Sequence, residues 1–338
     1  MKKFASVALS ALLSLSILAG CGGDSNTSTS TSTDTSTSDG GGEAKSAYKV
    51  AYLTPSMDIP FWRYMATGIE EKTKELAPDA EVQVYDSKDS ADTQLKNAQD
   101  AIVKETDAIV ISPVDSASCP AVLSLAEENG VPVVICDVGT DSGTYASFII
   151  TDNKGGAKEL GEYVASLLQP GDKVAQITLN QARINGQLRK AGFEEGIAKN
   201  NLEQVDFRQM EKHNRQEGET FTQDLITAYP DLKCIFVQAD DPSMGAVTAL
   251  ASAGRTDVMI AAFDFQSEYP EALKSGQMAC AAAQQPVLMG QLAAEQINKL
   301  MNGETVEKEI SVNTLLVTKD NIEELESNGG LDTVMVQE

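Results

Sequence analysis

From Tyr48 onward the chain alternates short, continuous apolar runs with segments long enough to be helices, and this order constrains the fold more than any other feature. Residues 48–53, 81–85, 108–111 and 131–136 read as strands, separated by helical periodicity over 62–76 and 93–104. A second series follows, with strands near 173–179, 205–208, 234–238, 258–263 and 278–283. Strands that are apolar throughout, alternating with helices, imply parallel sheets covered on both faces. The stretch from Tyr48 to the end exceeds the size at which a single core stops growing, so two α/β lobes are expected. In such sheets ligands bind beyond the carboxyl ends of the strands. The residues that follow each strand are therefore the ones to read for function.

The chain before Tyr48 has a different character. Lys2-Lys3 and the apolar run 7–18 form a basic start and a hydrophobic stretch too short to span a bilayer, which is the pattern of a secretory leader. Leu18-Ala19-Gly20-Cys21 resembles a bacterial lipobox, which implies cleavage after residue 20 and a lipid on Cys21. Residues 21–47 are almost entirely Ser, Thr, Gly and Asp. They read as a flexible tether, spanning roughly 25 to 30 Å by random-coil scaling. With 50 acidic and 26 basic residues the formal charge is −24, a surface that repels phosphate backbones and anionic lipid alike. Nucleic-acid binding is not expected, and membrane attachment falls to the lipid. Cys119, Cys136, Cys234 and Cys280 are widely spaced with no CxxC pair, and Cys136 and Cys234 sit in apolar runs; free thiols are expected.

At the strand ends the chain offers Asp58-Ile59-Pro60-Phe61-Trp62, Ser112-Pro113-Val114-Asp115, Val134-Ile135-Cys136-Asp137, Thr151-Asp152-Asn153, Gln238-Ala239-Asp240, Phe263-Asp264 and Ala283-Gln284-Gln285-Pro286. In order and spacing these blocks resemble the type I periplasmic binding proteins, the ribose and galactose branch of solute receptors for ABC importers. The resemblance implies two similar Rossmann-like lobes with parallel sheets joined by a three-segment hinge. It places 48–151 with 285–313 in one lobe and 152–284 with 314–338 in the other. It further implies a small polar ligand, most often a sugar, with no cofactor and no metal, and as partners an ABC permease and its ATPase. A monomer is expected.

A sugar presents apolar C–H faces and a rim of hydroxyls, so aromatic rings, carboxylates and amides suit it. Phe61 and Trp62, the only tryptophan, are the stacking candidates. Matching of motifs makes Asp137, Asp264 and Gln284 hydroxyl partners, with Asp58, Ser112, Gln187, His213 and Asp240 as further ligand-binding candidates. An ordinary helix cap or turn is the alternative for each Asp. The chain departs from the family at Val138, where the branch commonly has Arg, at Ala239, where it has Asn, and at Gln187, where it has Arg; Arg183 and Arg189 lie nearby but out of register. Ribose itself is placed in doubt by these departures. No GxSxG elbow, P-loop or complete dinucleotide fingerprint is present.

The expected function is a membrane-anchored, extracytoplasmic receptor that delivers a sugar or related solute to an ABC permease. Two other classes remain open. The same receptor would serve as a sensor presenting a small signal to a membrane kinase, and an exported glycosidase would use Asp137 and Asp264 as its carboxylate pair.

Overall fold

The computed structural model describes residues 47–336. The leader, Cys21 and nearly all of the tether lie outside the described residues. Among the described residues are twelve strands: β1 (Lys49–Thr54), β2 (Glu81–Asp86), β3 (Ala108–Ile111), β4 (Val133–Cys136), β5 (Ser147–Thr151), β6 (Lys173–Thr178), β7 (Glu203–Gln209), β8 (Leu232–Val237), β9 (Met259–Phe263), β10 (Cys280–Ala283), β11 (Glu309–Val312) and β12 (Leu315–Thr318). Ten α-helices accompany them within the described residues: α1 (Pro60–Leu76), α2 (Ala91–Val103), α3 (Cys119–Glu128), α4 (Asn153–Leu167), α5 (Ile184–Ile197), α6 (Arg215–Ala228), α7 (Asp240–Ser252), α8 (Tyr269–Lys274), α9 (Pro286–Met301) and α10 (Ile322–Ser327).

The strands form two sheets of six. The first runs β11-β5-β4-β3-β1-β2 and is parallel throughout. The second runs β12-β10-β9-β8-β6-β7 and is parallel except for β12, which is antiparallel to β10. Each sheet is covered on both faces, which is why central strands such as β3 and β4 read as continuous apolar runs. In the first, Tyr52, Val110 and Val134 pack on Met65, Ile69 and Met289, while Leu53, Ile109, Ile111 and Ile135 pack on Leu123 from the opposite side. Complete burial of an aliphatic side chain of this size contributes about 1.5–3 kcal/mol. The strand boundaries expected from sequence agree with these to within two residues, and β5, β11 and β12 are additions.

Three segments carry the chain between the sheets. It leaves the first sheet after β5, returns from β10 into α9, and leaves again between β11 and β12. The crossings bond to one another: Thr151 Oγ1 donates to Gln284 Oε1 at 2.6 Å, Gln285 Nε2 to the Asn313 carbonyl at 2.7 Å and the Asp152 N–H to the Val312 carbonyl at 2.8 Å. Helix α9 lies so close to α1 that a Cβ at Gly68 would strike the Val287 carbonyl, and one at Gly290 the Met65 carbonyl. All four described cysteines are buried and none is bonded to another. No helix among the described residues is long and apolar enough to cross a membrane.

Candidate functional site

The carboxyl ends of the strands of both sheets face one cavity of about 880 Å³. Its walls include Phe61 and Trp62 at the start of α1, Asp137 and Val138 after β4, Asp240 after β8, Asp264 after β9 and Gln284 after β10. The two lobes contribute in parallel fashion. Asp137 follows the strand next to β3 in the first sheet, and Asp264 follows the strand next to β8 in the second. Both adopt the left-handed region, with φ of 65° and 72°, a conformation that Asp tolerates better than most residues and that is held only where the surroundings enforce it. The backbone enforces it here: the Asp137 N–H donates to the Ile149 carbonyl and the Asp264 N–H to the Ala282 carbonyl, so each turn remains tied to the neighbouring strand.

Arg189 organises the second lobe's wall. It is 3% exposed; its Nε donates to Asn153 Oδ1 at 2.8 Å and NH1 to the Gln238 carbonyl at 2.7 Å, with Asp264 Oδ2 at 3.4 Å. Its guanidinium lies 3.9 Å from the centroid of the Phe263 ring, a cation–π arrangement. Gln284 Nε2 donates to the other oxygen of Asp264, and the Asn153 amide donates to the Thr151 carbonyl at 3.0 Å. Arg189, Asn153, Thr151, Gln284 and Asp264 thus close a ring of contacts that joins two crossing segments to a cavity carboxylate. A planar donor fork is what permits one side chain to serve three acceptors.

Two acids of the cavity, Asp137 and Asp240, are held against their charged form. Burial pushes the Asp137 carboxyl up to about 6, against the opposing pull of the Arg189 charge and with a further push from Asp264. Burial and then the Asp264 charge raise Asp240, also to about 6. Asp137 Oδ1 is buried with no hydrogen-bond partner. An unsatisfied buried acceptor costs about 1–3 kcal/mol, so a hydroxyl that reached it would be strongly favoured. His213, with φ of 50°, also lines the cavity; its Nε2 is buried without a partner, and burial followed by the Arg183 charge lowers its proton affinity.

Phe61, Trp62, Asp137, His213, Asp240, Asp264 and Gln284 therefore share the cavity, whereas Asp58, Ser112 and Gln187 are not on its wall. Ser112 is fully buried in the first lobe, where its hydroxyl meets Tyr52 Oη at 3.1 Å and Met65 Sδ at 3.4 Å. Gln187 is exposed and turns its amide to the Gln181 carbonyl at 2.7 Å. Asp58 is exposed, and its carbonyl accepts from Arg63 NH1 at 3.0 Å. Arg189 and Arg183 are among the cavity residues that the residues following the strands do not reveal. A signal for Arg189 exists in the sequence: Gly186, Arg189, Gly192, Phe193, Gly196 and Ile197 are the buried stripe of α5, and Gln187 falls off it. Among the described residues no group of three or more His, Cys, Asp or Glu is placed to hold a metal ion.

Comparison with known proteins agrees with this geometry. The family model described as periplasmic binding protein domain matches residues 50–305. The ribose import binding protein of Salmonella typhimurium is 30% identical over 270 residues, covering 80% of this chain and 90% of that one. The D-apiose import binding protein of Paraburkholderia graminis is 29% identical over 84% of this chain and 92% of its own. Among solved structures, a periplasmic ribose ABC transporter protein from Conexibacter woesei superposes with a TM-score of 0.82 at 21% identity, covering 88% of this chain and 100% of that one. An ABC transporter solute binding protein from Mycobacterium smegmatis, solved with bound glycerol, gives 0.75 at 29% identity over 86% and 100%. The chain belongs to the periplasmic binding protein family.

Proposed function

We propose that this chain is an extracytoplasmic receptor that captures a small sugar or related polyol in the cavity between its lobes and delivers it to an ABC import permease. The observation that carries the reading is the cavity wall itself. Two aromatic rings, Phe61 and Trp62, stand in one space with the carboxyls of Asp137, Asp240 and Asp264 and the amide of Gln284. Rings take the C–H faces of a sugar, and carboxylates and amides take its hydroxyls. The relatives are named as binding proteins for ribose, allose and apiose, which supports the class.

Val138 lines the cavity where the resemblance expects Arg, and Gln187 faces away from it. With apolar Val138 where the ribose pattern carries a donor, and with Arg183 and Arg189 supplying the arginines of the other lobe, the preferred ligand lacks the hydroxyl that the missing Arg would serve or is differently shaped, because each unpaired buried hydroxyl costs about 1–3 kcal/mol. Ligand capture shifts the lobes toward a closed form in proportion to the ligand's preference for it. The chain acts as a binding module and not as an enzyme. The lipid on Cys21 and the tether keep it beside its permease.

Two measurements test this. Thermal unfolding and Trp62 fluorescence are followed while the mature chain is titrated with a panel of pentoses, hexoses, deoxysugars and cyclitols. Stabilisation by at least one is expected, with the shift growing as the logarithm of concentration above the dissociation constant; no response to any of them sinks the receptor reading. Cys21→Ala is expected to release the chain from the membrane fraction, and retention would remove the lipid from the account.

A further inference from the structure

The loop between β7 and α6 brings the sequence's only histidine to the cavity. His213 is held at a φ of 50°, a left-handed conformation that is unfavourable for a non-glycine residue. Glu217, in the first turn of α6, supplies the restraint. Its Oε1 accepts the Glu211 N–H at 3.0 Å, and its Oε2 accepts those of Lys212 at 2.7 Å and His213 at 2.8 Å. The helix does not require these bonds, because Asn214 already caps it by accepting the Glu217 N–H at 3.0 Å. A Glu at this position in an ordinary capping box reaches back to the N–H of the capping residue itself. Here it passes over Asn214 and gathers three donors from the loop that carries the imidazole.

We propose that Glu217 is a positioning residue for ligand selection: it locks residues 211–213 so that the His213 imidazole stands in the cavity wall with Nε2 as a hydrogen-bond partner for the captured molecule. The proposal rests on the reading of the cavity as a receptor for a small polar solute. Nε2 is buried and unpartnered, so a ligand hydroxyl bonded to it relieves a standing penalty. Burial and the Arg183 guanidinium keep the ring uncharged at neutral pH, against the opposing pull of Glu217 itself. An uncharged imidazole offers one donor and one acceptor nitrogen, which a sugar hydroxyl can meet in either sense.

The test uses the single histidine as its own probe. In the full mature chain the imidazole Cε1 proton is followed by NMR across pH, with no ligand present. The unaltered protein is expected to titrate below the ordinary value of about 6.5. In Glu217→Ala the loop loses all three restraints and the imidazole moves toward solvent, so its titration is expected to rise toward 6.5. Removing a negative charge from a ring that stays in place would lower the titration instead; a fall, or no change, overturns the proposal. Glu217→Gln keeps one acceptor oxygen and is expected to give a smaller rise, which covers failure of the alanine variant to fold. These readouts stand even if no sugar binds, an outcome that would sink the receptor reading separately. With a bound sugar from the panel, Glu217→Ala and His213→Ala are each expected to weaken affinity about tenfold, and the double variant no further than either one. Losses that multiply in the double variant would show that the two residues act independently and would overturn the coupling.

Discussion

The Thr151 hydroxyl donates to the side-chain carbonyl of Gln284 at 2.6 Å, a bond between residues 133 positions apart that ties the first crossing segment to the second. The amide end of the same Gln284 donates to Asp264. Only one orientation of the amide satisfies both neighbours, since a carboxylate accepts and the Thr151 hydroxyl must then donate. The hinge and the cavity consequently share a hydrogen-bond network, and a change in one is felt in the other. Thr151→Val keeps the shape and deletes the donor, leaving a buried acceptor unpaired. The expected loss is about 1–3 kcal/mol in stability, read as a lower denaturant midpoint at unchanged slope. The same variant should bind its sugar more weakly, because the Asp264 contact loses its fixed partner. A full loss of stability with unaltered affinity would separate the two.

Asp137 and Asp240 give the ligand-free protein a pH dependence of definite sign. Both carboxyls are raised to about 6, largely by burial. Between about 4 and 6 the folded state holds protons that the unfolded chain has released, so stability falls as pH rises through this window and stays low above it. For Asp137 the effect is on the order of 2–3 kcal/mol. Asp137→Asn is expected to stabilise the empty protein at pH 7, flatten the profile between pH 4 and 6, and abolish or severely weaken sugar binding. Urea titrations at pH 5 and 7 check the first two; an unaltered difference between the two pH values would contradict burial of a titrating carboxyl.

The sequence makes legible whatever is carried by a run or a stripe of consistent chemistry. Strands such as β3 and β4 are buried on both faces and announce themselves as unbroken apolar residues. β11 and β12 have four residues each, only part of them buried, and owe their place to the sheet edges they join rather than to their own composition. Asp137 and Asp264 stand out because each is the polar residue that ends an apolar strand, although a turn would also place an Asp there and both do occupy left-handed turns. Ser112 occupies the corresponding place after β3 and looks like them, yet Tyr52 and Met65 claim its hydroxyl, and no local pattern distinguishes a strand end turned to the cavity from one turned to the core. Arg189 and Gln187 differ by two positions on one helix, and helical phase puts the first inside and the second in solvent.

Arg189→Met tests whether the buried cation is structural, ligand-directed or both. The change removes donors from Asn153, the Gln238 carbonyl and Asp264 together, leaving a partly buried carboxylate without its charge partner. Breaking a buried pair from one side typically costs about 3–5 kcal/mol. Arg189→Lys retains the charge but cannot reach several acceptors from one nitrogen, so an intermediate loss is expected. Equal behaviour of the two variants in thermal unfolding would mean that the fork geometry contributes nothing beyond its charge.

Phe61 and Trp62 pack edge to face, with centroids 4.8 Å apart and planes at 88°. Because the rings are perpendicular, only one of them can lie flat against a given face of a sugar ring; the other meets it by its edge or packs against the lobe's core, which both also touch. The two residues should therefore respond differently to truncation even though they are neighbours in sequence and in space. A flat stacking ring contributes about 0.5–1.5 kcal/mol beyond the area it buries, so its replacement by Leu is expected to weaken affinity tenfold or more, since tenfold corresponds to about 1.4 kcal/mol. The replacement at the other position should lower the melting temperature while leaving affinity within about threefold. Calorimetric titration of Phe61→Leu and Trp62→Leu with the best sugar of the panel decides which ring stacks. Trp62 fluorescence in Phe61→Leu supplies an independent check, since the indole still reports occupancy there. Equal affinity losses at both positions would mean that the ligand contacts the pair as one surface, in which case the perpendicular arrangement of the ligand-free rings does not persist in the bound form.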